Sequence, residues 1–196
     1  MEYLNFRQSL RQYACVCVAL AIVTAPLLTL AQSTDDDGAT ALERRVKAAF
    51  IYKFIDYIGW PQNLFSQPDA PLTIAVMGDN QLADELSNLV ANRTANGRPI
   101  VVRKLSDINP STVIQVLFVG QDESTKISQV TKALEPRPIL IVTESEGALA
   151  KGSIINFIVI DGHVRFEIAL DSAEKRGLKL SSRLLEVAQN VRSEIP

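Results

Sequence analysis

The stretch LTIAVMGDNQLADELSNLVA, residues 72–91, decides the fold class. A short, largely apolar run comes first, Gly78-Asp79-Asn80 forms a turn, and Leu82, Leu86 and Leu89 then recur at helical spacing. A continuous apolar strand followed by a turn and an amphipathic helix is typical of a parallel sheet that is covered on both faces. This stretch therefore predicts an α/β domain.

The same alternation continues downstream. Segments 100–105, 113–119 and 139–143 predict further strands, and 124–134 predicts a helix before the last of them. Right-handed crossovers between parallel strands restrict the topology to a doubly wound sheet. We therefore predict three layers, in which a mostly parallel sheet lies between helices on both faces.

An amphipathic helix is predicted ahead of the first strand, over residues 42–58. Its apolar side chains recur at steps of three and four residues: Val46, Ala49, Phe50, Phe54, Tyr57 and Ile58. Gly59 is expected to end the helix in a left-handed cap, and the following Trp60-Pro61 prevents its continuation. At the other end of the chain, Ser181 or Ser182 is expected to cap a last helix that turns Leu184, Leu185, Ala188 and Val191 inward.

A β-hairpin is predicted over residues 154–168, because Asp161-Gly162 supplies the positive φ angles of a type I′ turn. This turn pairs Ile160 with His163, which fixes the register. One face then carries only apolar side chains: Ile155, Phe157, Val159, Val164, Phe166 and Ile168. The opposite face carries Asn156, Ile158, His163, Arg165 and Glu167. That second face is either a binding site for a small polar ligand or a partner's charged group, or a solvated or helix-covered surface with an ion pair worth at most about 1 kcal/mol.

Composition and motifs exclude several classes of function. The 196-residue chain has 20 basic and 22 acidic residues, a balance that gives no support to nucleic-acid binding. One histidine cannot supply the ligands of a zinc site, and no nucleophile elbow, phosphate-binding glycine motif or EF-hand is present. We therefore expect no catalysis, no cofactor and no metal.

The first 31 residues have the features of an export signal. Arg7 and Arg11 precede an uncharged run from Tyr13 to Ala31 that ends in small residues suited to signal peptidase. We expect cleavage after Ala31, a flexible leader over 32–41, a single α/β domain over 42–196, and a periplasmic location. An uncleaved membrane anchor is the alternative. Since Cys15 and Cys17 are the chain's two cysteines, the exported protein contains no thiol.

Several segments together resemble the YfiR family of periplasmic proteins. They are VKAAFIYKF (46–54), WP (60–61), GRPIVV (97–102), VLFVG (116–120), IINF (154–157), VRFEI (164–168) and GLKLSSRLL (177–185). The resemblance implies a non-enzymatic α/β domain that represses an inner-membrane diguanylate cyclase by binding its periplasmic sensor region. Cyclic-di-GMP synthesis and biofilm formation would then depend on release from this repression.

The family's partner and ligand surfaces correspond to Trp60, Glu167, Lys179 and Ser181 in this sequence. With Asn156 and Arg165 from the polar hairpin face, these four form the predicted interaction residues. An OmpA-like outer-membrane lipoprotein that sequesters the protein is a further implied partner. A second copy of the chain, forming a homodimer, is left as an alternative. The competing hypothesis is a sensor module that binds a small polar ligand on the hairpin face.

Two features depart from the family. The mature chain lacks the cysteines that make repression redox-dependent in other members, and Ile114 or its neighbours stand where one is expected. Lys151-Gly152 replaces a pair of glycines. Regulation by a disulfide therefore does not transfer to this chain, and any regulation would depend on non-covalent binding.

Overall fold

The computed structural model describes residues 32–193, apart from Ser66, Pro68 and Pro110. The chain divides into two units, Met1–Ala41 and Leu42–Pro196. Of the first unit, the described residues are the opening turns of helix α1. The expected signal segment, residues 1–31, lies outside the described residues.

The described residues form five α-helices: α1 (Gln32–Phe54), α2 (Asn80–Val90), α3 (Ile127–Ala133), α4 (Leu170–Lys175) and α5 (Ser182–Glu186). They also form ten strands: β1 (Ile58–Gly59), β2 (Leu72–Met77), β3 (Thr94–Ala95), β4 (Arg98–Lys104), β5 (Val116–Val119), β6 (Leu140–Thr143), β7 (Ile155–Ile160), β8 (His163–Ala169), β9 (Lys179–Leu180) and β10 (Asn190–Arg192). Short 3-10 turns are Ile55–Tyr57, Gln62–Leu64, Gln121–Lys126 and Leu149–Lys151.

Eight of these strands form one sheet in the order β10-β8-β7-β6-β5-β2-β4-β3. Its central strands β4, β2, β5, β6 and β7 are parallel, whereas β8 runs antiparallel to β7. Phe54 of α1 belongs to the core on one face, together with Phe118 of β5. Ile127 of α3 belongs to the core on the other face, together with Leu117. The predicted three-layer, mostly parallel doubly wound sheet is confirmed.

The turn between β2 and α2 also has a clear local cause. The Asp79 carboxylate accepts a hydrogen bond from the Leu82 amide at 2.9 Å and so caps α2. Gly78 precedes it with a φ of +75°, in the region where glycine is favoured.

The hairpin has the predicted register. Ile160 lies opposite His163 and Asn156 opposite Glu167, while Asp161 and Gly162 have φ angles of +50° and +72°. One expectation for the apolar face is wrong: Val159 is 52% exposed, although Val164 opposite it is buried.

Three local expectations also need correction. The leader over 32–41, expected to be flexible, is helical, since α1 begins at Gln32. Acidic residues near the N-terminus of a helix stabilise it through the helix dipole. Gly59 is not a left-handed cap: it continues into β1, after a 3-10 turn has ended α1. Val191 lies in β10 and is exposed, because α5 stops at Glu186 and the chain then pairs with β8.

The hairpin turn permits a direct test of the backbone argument. Replacing Gly162 with alanine should lower the free energy of unfolding by about 1 kcal/mol, because an L-residue is strained at this positive φ although space for a Cβ is open. Asp161→Asn is the control, since asparagine suits the same turn position and should change stability by less than about 0.5 kcal/mol. Urea unfolding measures both; equal stability of Gly162→Ala and the unmodified protein would contradict the prediction.

Candidate functional site

A two-stranded ribbon joins the end of the first helix to the segment before α5. β1 pairs antiparallel with β9, so that Ile58 lies opposite Leu180 and Gly59 opposite Lys179. The Ser181 amide then donates to the Tyr57 carbonyl at 3.0 Å. A Cβ on Gly59 would lie 3.2 Å from the Lys179 Cβ, so this close approach favours glycine. The ribbon therefore brings two stretches of distant sequence onto one surface.

Three predicted interaction residues lie in the ribbon or directly after its strands, and each has a different environment. Lys179 is exposed, whereas Trp60 is half-buried and packs against the core that contains Phe54. The Trp60 Nε1 is buried and has no hydrogen-bond acceptor among the described residues, a condition that typically costs about 1–3 kcal/mol. The Ser181 hydroxyl accepts a bond from the Leu184 amide at 3.4 Å and caps α5. Ser181 thus shapes the surface while Lys179 extends from it.

The polar face of the hairpin lies on the opposite side of the sheet. Phe166, which alternates with Arg165 and Glu167 along β8, contacts the Phe54 ring of α1 at a centroid distance of 5.0 Å. Arg165 and Glu167 therefore point away from α1. Arg165 is exposed, so this part of the face is open to solvent.

Strand β10 adds to this polar face in a way that the sequence did not predict. Asn190 lies beside Glu167, and Arg192 forms an ion pair with the Glu167 carboxylate at 3.7 Å. Arg165, in contrast, has no ion pair in the described part of the chain. We call Arg165, Glu167, Asn190 and Arg192 the open polar face.

Asn156 shares the orientation of this face but is buried. Its side-chain oxygen accepts hydrogen bonds from the Thr143 hydroxyl at 2.8 Å and the Ser145 amide at 3.0 Å. These bonds hold the end of β6 against β7. The side-chain oxygen of Asn156 is therefore occupied by hydrogen bonds within the protein. Asn156 thus supports the strands beneath the polar face. Of the predicted interaction residues, Trp60, Lys179 and Ser181 thus lie at the ribbon, and Arg165 and Glu167 lie on the open polar face. Asn156 belongs to neither surface because it is buried.

Sequence reasoning missed a charged cluster at the carboxyl ends of β5 and β6. Lys47 Nζ lies 2.5 Å from an oxygen of Glu43 and 2.5 Å from an oxygen of Glu144, whose second oxygen accepts from the Gln121 amide at 2.9 Å. Burial lowers the pKa of Lys47, but its hydrogen bonds to Glu144 and Glu43 outweigh burial and raise the pKa above its ordinary value. Lys47 lies one helical turn before the apolar Ile51, and so on the same face of the helix. This spacing was the one feature of the sequence that indicated a buried lysine.

The described residues contain no group of three or more histidine, cysteine or acidic side chains arranged to hold a metal ion. Nor does any helix within them combine the length and apolar character needed to cross a membrane.

Comparison with known proteins adds two findings. A family model described as YfiR/HmsC-like matches residues 44–189. A crystal structure of a conserved domain protein from Vibrio cholerae O1 biovar El Tor is similar in fold, with a TM-score of 0.52 and 11% sequence identity. The similarity covers 76% of this chain and 60% of that one, so the chain spans less than two thirds of that structure.

Proposed function

The chain belongs to the YfiR/HmsC-like family, and from this premise we propose that it is a periplasmic, non-enzymatic regulator that represses an inner-membrane diguanylate cyclase. The protein binds the periplasmic sensor domain of the cyclase and restrains cyclic-di-GMP synthesis, and thereby biofilm formation. The observation that carries this proposal is the family match, because it extends from the first helix to the segment before β10. An OmpA-like outer-membrane lipoprotein that sequesters the protein would relieve the repression.

The ribbon and the open polar face both have side chains of the kinds found at protein–protein interfaces. At the ribbon, the large half-buried Trp60 lies next to the exposed Lys179 strand, and aromatic anchors beside charged groups are frequent at interface centres and rims. On the open polar face, Arg165 is a free guanidinium among the described groups, and Glu167 is partly exposed. Charged groups of this kind set partner choice and association rate more than affinity. We assign direct contact to Trp60, Lys179, Arg165 and Glu167, with Ser181 and Asn156 supporting the backbone beneath them.

Deletion of the gene should raise cellular cyclic-di-GMP, and expression of the unmodified chain should restore the original level. Lys179→Glu should fail to restore it, because the reversed charge opposes the partner's complementary surface. Lys132→Glu is the matched control: Lys132 is also exposed, but it lies on α3, away from the ribbon. Cyclic-di-GMP measured by mass spectrometry, with equal periplasmic amounts of each variant, decides the matter. An unchanged cyclic-di-GMP level after deletion would refute the proposal.

A further inference from the structure

Arg176 is a charged side chain held in the interior, only 4% exposed. Its Nη1 donates to the carbonyls of Leu134 at 3.1 Å and Arg137 at 3.3 Å, and its Nη2 donates to the Thr131 carbonyl at 2.8 Å. These carbonyls lie at and just beyond the C-terminus of α3, where the helix dipole favours a cation. Burial lowers the pKa of Arg176, and the charge of Glu135 opposes that shift only in part.

At least two of the five N–H groups of this guanidinium remain without a partner among the described residues. Among them are the Nε–H and one N–H of Nη2, which are borne by adjacent nitrogens. Arginine can bind a carboxylate with two parallel bonds from N–H groups on adjacent nitrogens. No carboxylate in the described part of the chain forms an ion pair with Arg176. Buried arginines are normally paired with an anion, so the site is electrostatically incomplete.

A cavity of about 360 Å³ adjoins Arg176, which is within the size range of small-molecule sites. Pro136, Leu149 and Ala150 give it apolar walls, and Glu135, Ser172 and Lys175 add polar groups. The Thr131 hydroxyl donates to the carbonyl of Lys151 at 2.7 Å, and Lys151 lies between two lining residues, Ala150 and Gly152. The cavity therefore combines apolar walls with a charged group whose donors are not all used.

We propose that this cavity binds a small molecule through its carboxylate, which accepts the two unused N–H groups of Arg176. The site is distinct from the ribbon and from the open polar face, and it does not depend on the proposed repressor function. Both signs of charge line the cavity, so a carboxylic acid and an amino acid are both compatible with it. Occupancy would neutralise the buried charge next to the end of α3.

Titration calorimetry with sodium propionate and with alanine tests this proposal, using the purified protein and chloride to match ionic strength. At least one probe should bind saturably with one site per chain. Ala150→Phe should abolish binding because the added ring fills the cavity, whereas Ala133→Phe, at an exposed alanine outside the cavity, should leave it unchanged. Arg176→Lys should weaken binding by about tenfold or more, since lysine keeps the charge but cannot form the paired bonds.

Arg176→Lys also disturbs the end of α3, so its melting temperature is measured in parallel. Ala150→Phe leaves Arg176 and its three carbonyl acceptors in place and serves as the independent variant. Absence of binding of both probes to the unmodified protein would overturn the proposal. So would a folded Ala150→Phe protein that binds a probe as tightly as the unmodified chain does.

Discussion

Phe54→Ala should lower the free energy of unfolding by about 3–5 kcal/mol. Phe54 is almost fully buried, and its ring lies 5.0 Å from that of Phe166 and 5.9 Å from that of Phe157, measured between centroids. These contacts attach the first helix to the β-hairpin, two elements more than a hundred residues apart in sequence. Removal of the ring leaves a cavity at this junction and also removes the edge-to-face contact with Phe166.

Urea unfolding followed by circular dichroism measures the effect of this substitution. Phe54→Leu is the control, because it keeps most of the apolar volume and should cost roughly 1.5 kcal/mol or less. A loss of less than about 1 kcal/mol for Phe54→Ala would contradict the prediction, since it would mean that the helix and the hairpin are not coupled through this ring.

The central sheet was predictable because its strands are buried on both faces. Strand β2 is buried at every position, and such strands appear in sequence as continuous apolar runs. The hairpin was predictable for a different reason. Asp161-Gly162 specifies one turn type, the turn fixes the register, and the register fixes which side chains share a face.

The short strands β1, β9 and β10 could not be predicted from a local sequence pattern. The β1–β9 ribbon has two residues on each strand, too few to show a periodic pattern, and its pairing depends on tertiary contact. The segment of β10 looked like the end of a helix because Leu184, Ala188 and Val191 recur at helical spacing. In the structure, pairing with the edge of β8 overrides that local preference.

Buried charges were the other feature that sequence reasoning missed. Lys47 and Glu144 are 97 positions apart, and Arg176 bonds the carbonyl of a residue 45 positions away. Neither partnership leaves a local motif. By contrast, the open polar face followed from alternation alone, because Arg165 and Glu167 are two residues apart on one strand.

Lys47→Met should lower the free energy of unfolding by about 2–4 kcal/mol at pH 7. Methionine nearly conserves the length of the side chain, so the main loss is the cation between Glu43 and Glu144. Glu144 is largely buried, and removal of one member of a buried ion pair leaves an uncompensated charge inside the protein. Arg45→Ala is the matched control on the same helix, because its ion pair with Glu85 is largely exposed and should contribute less than about 1 kcal/mol.

The same ion pairs should make stability depend on alkaline pH. The pKa of Lys47 in the folded protein is raised above its ordinary value of 10.5, so the folded state holds this proton more tightly than the unfolded chain does. The stabilisation is therefore complete below the unfolded pKa and is lost as pH rises through the folded pKa. Urea unfolding between pH 8 and about pH 11 should show the unmodified protein losing its advantage over Lys47→Met only above roughly pH 10. A constant difference between the two proteins across this range would show that the charge of Lys47 does not contribute to stability.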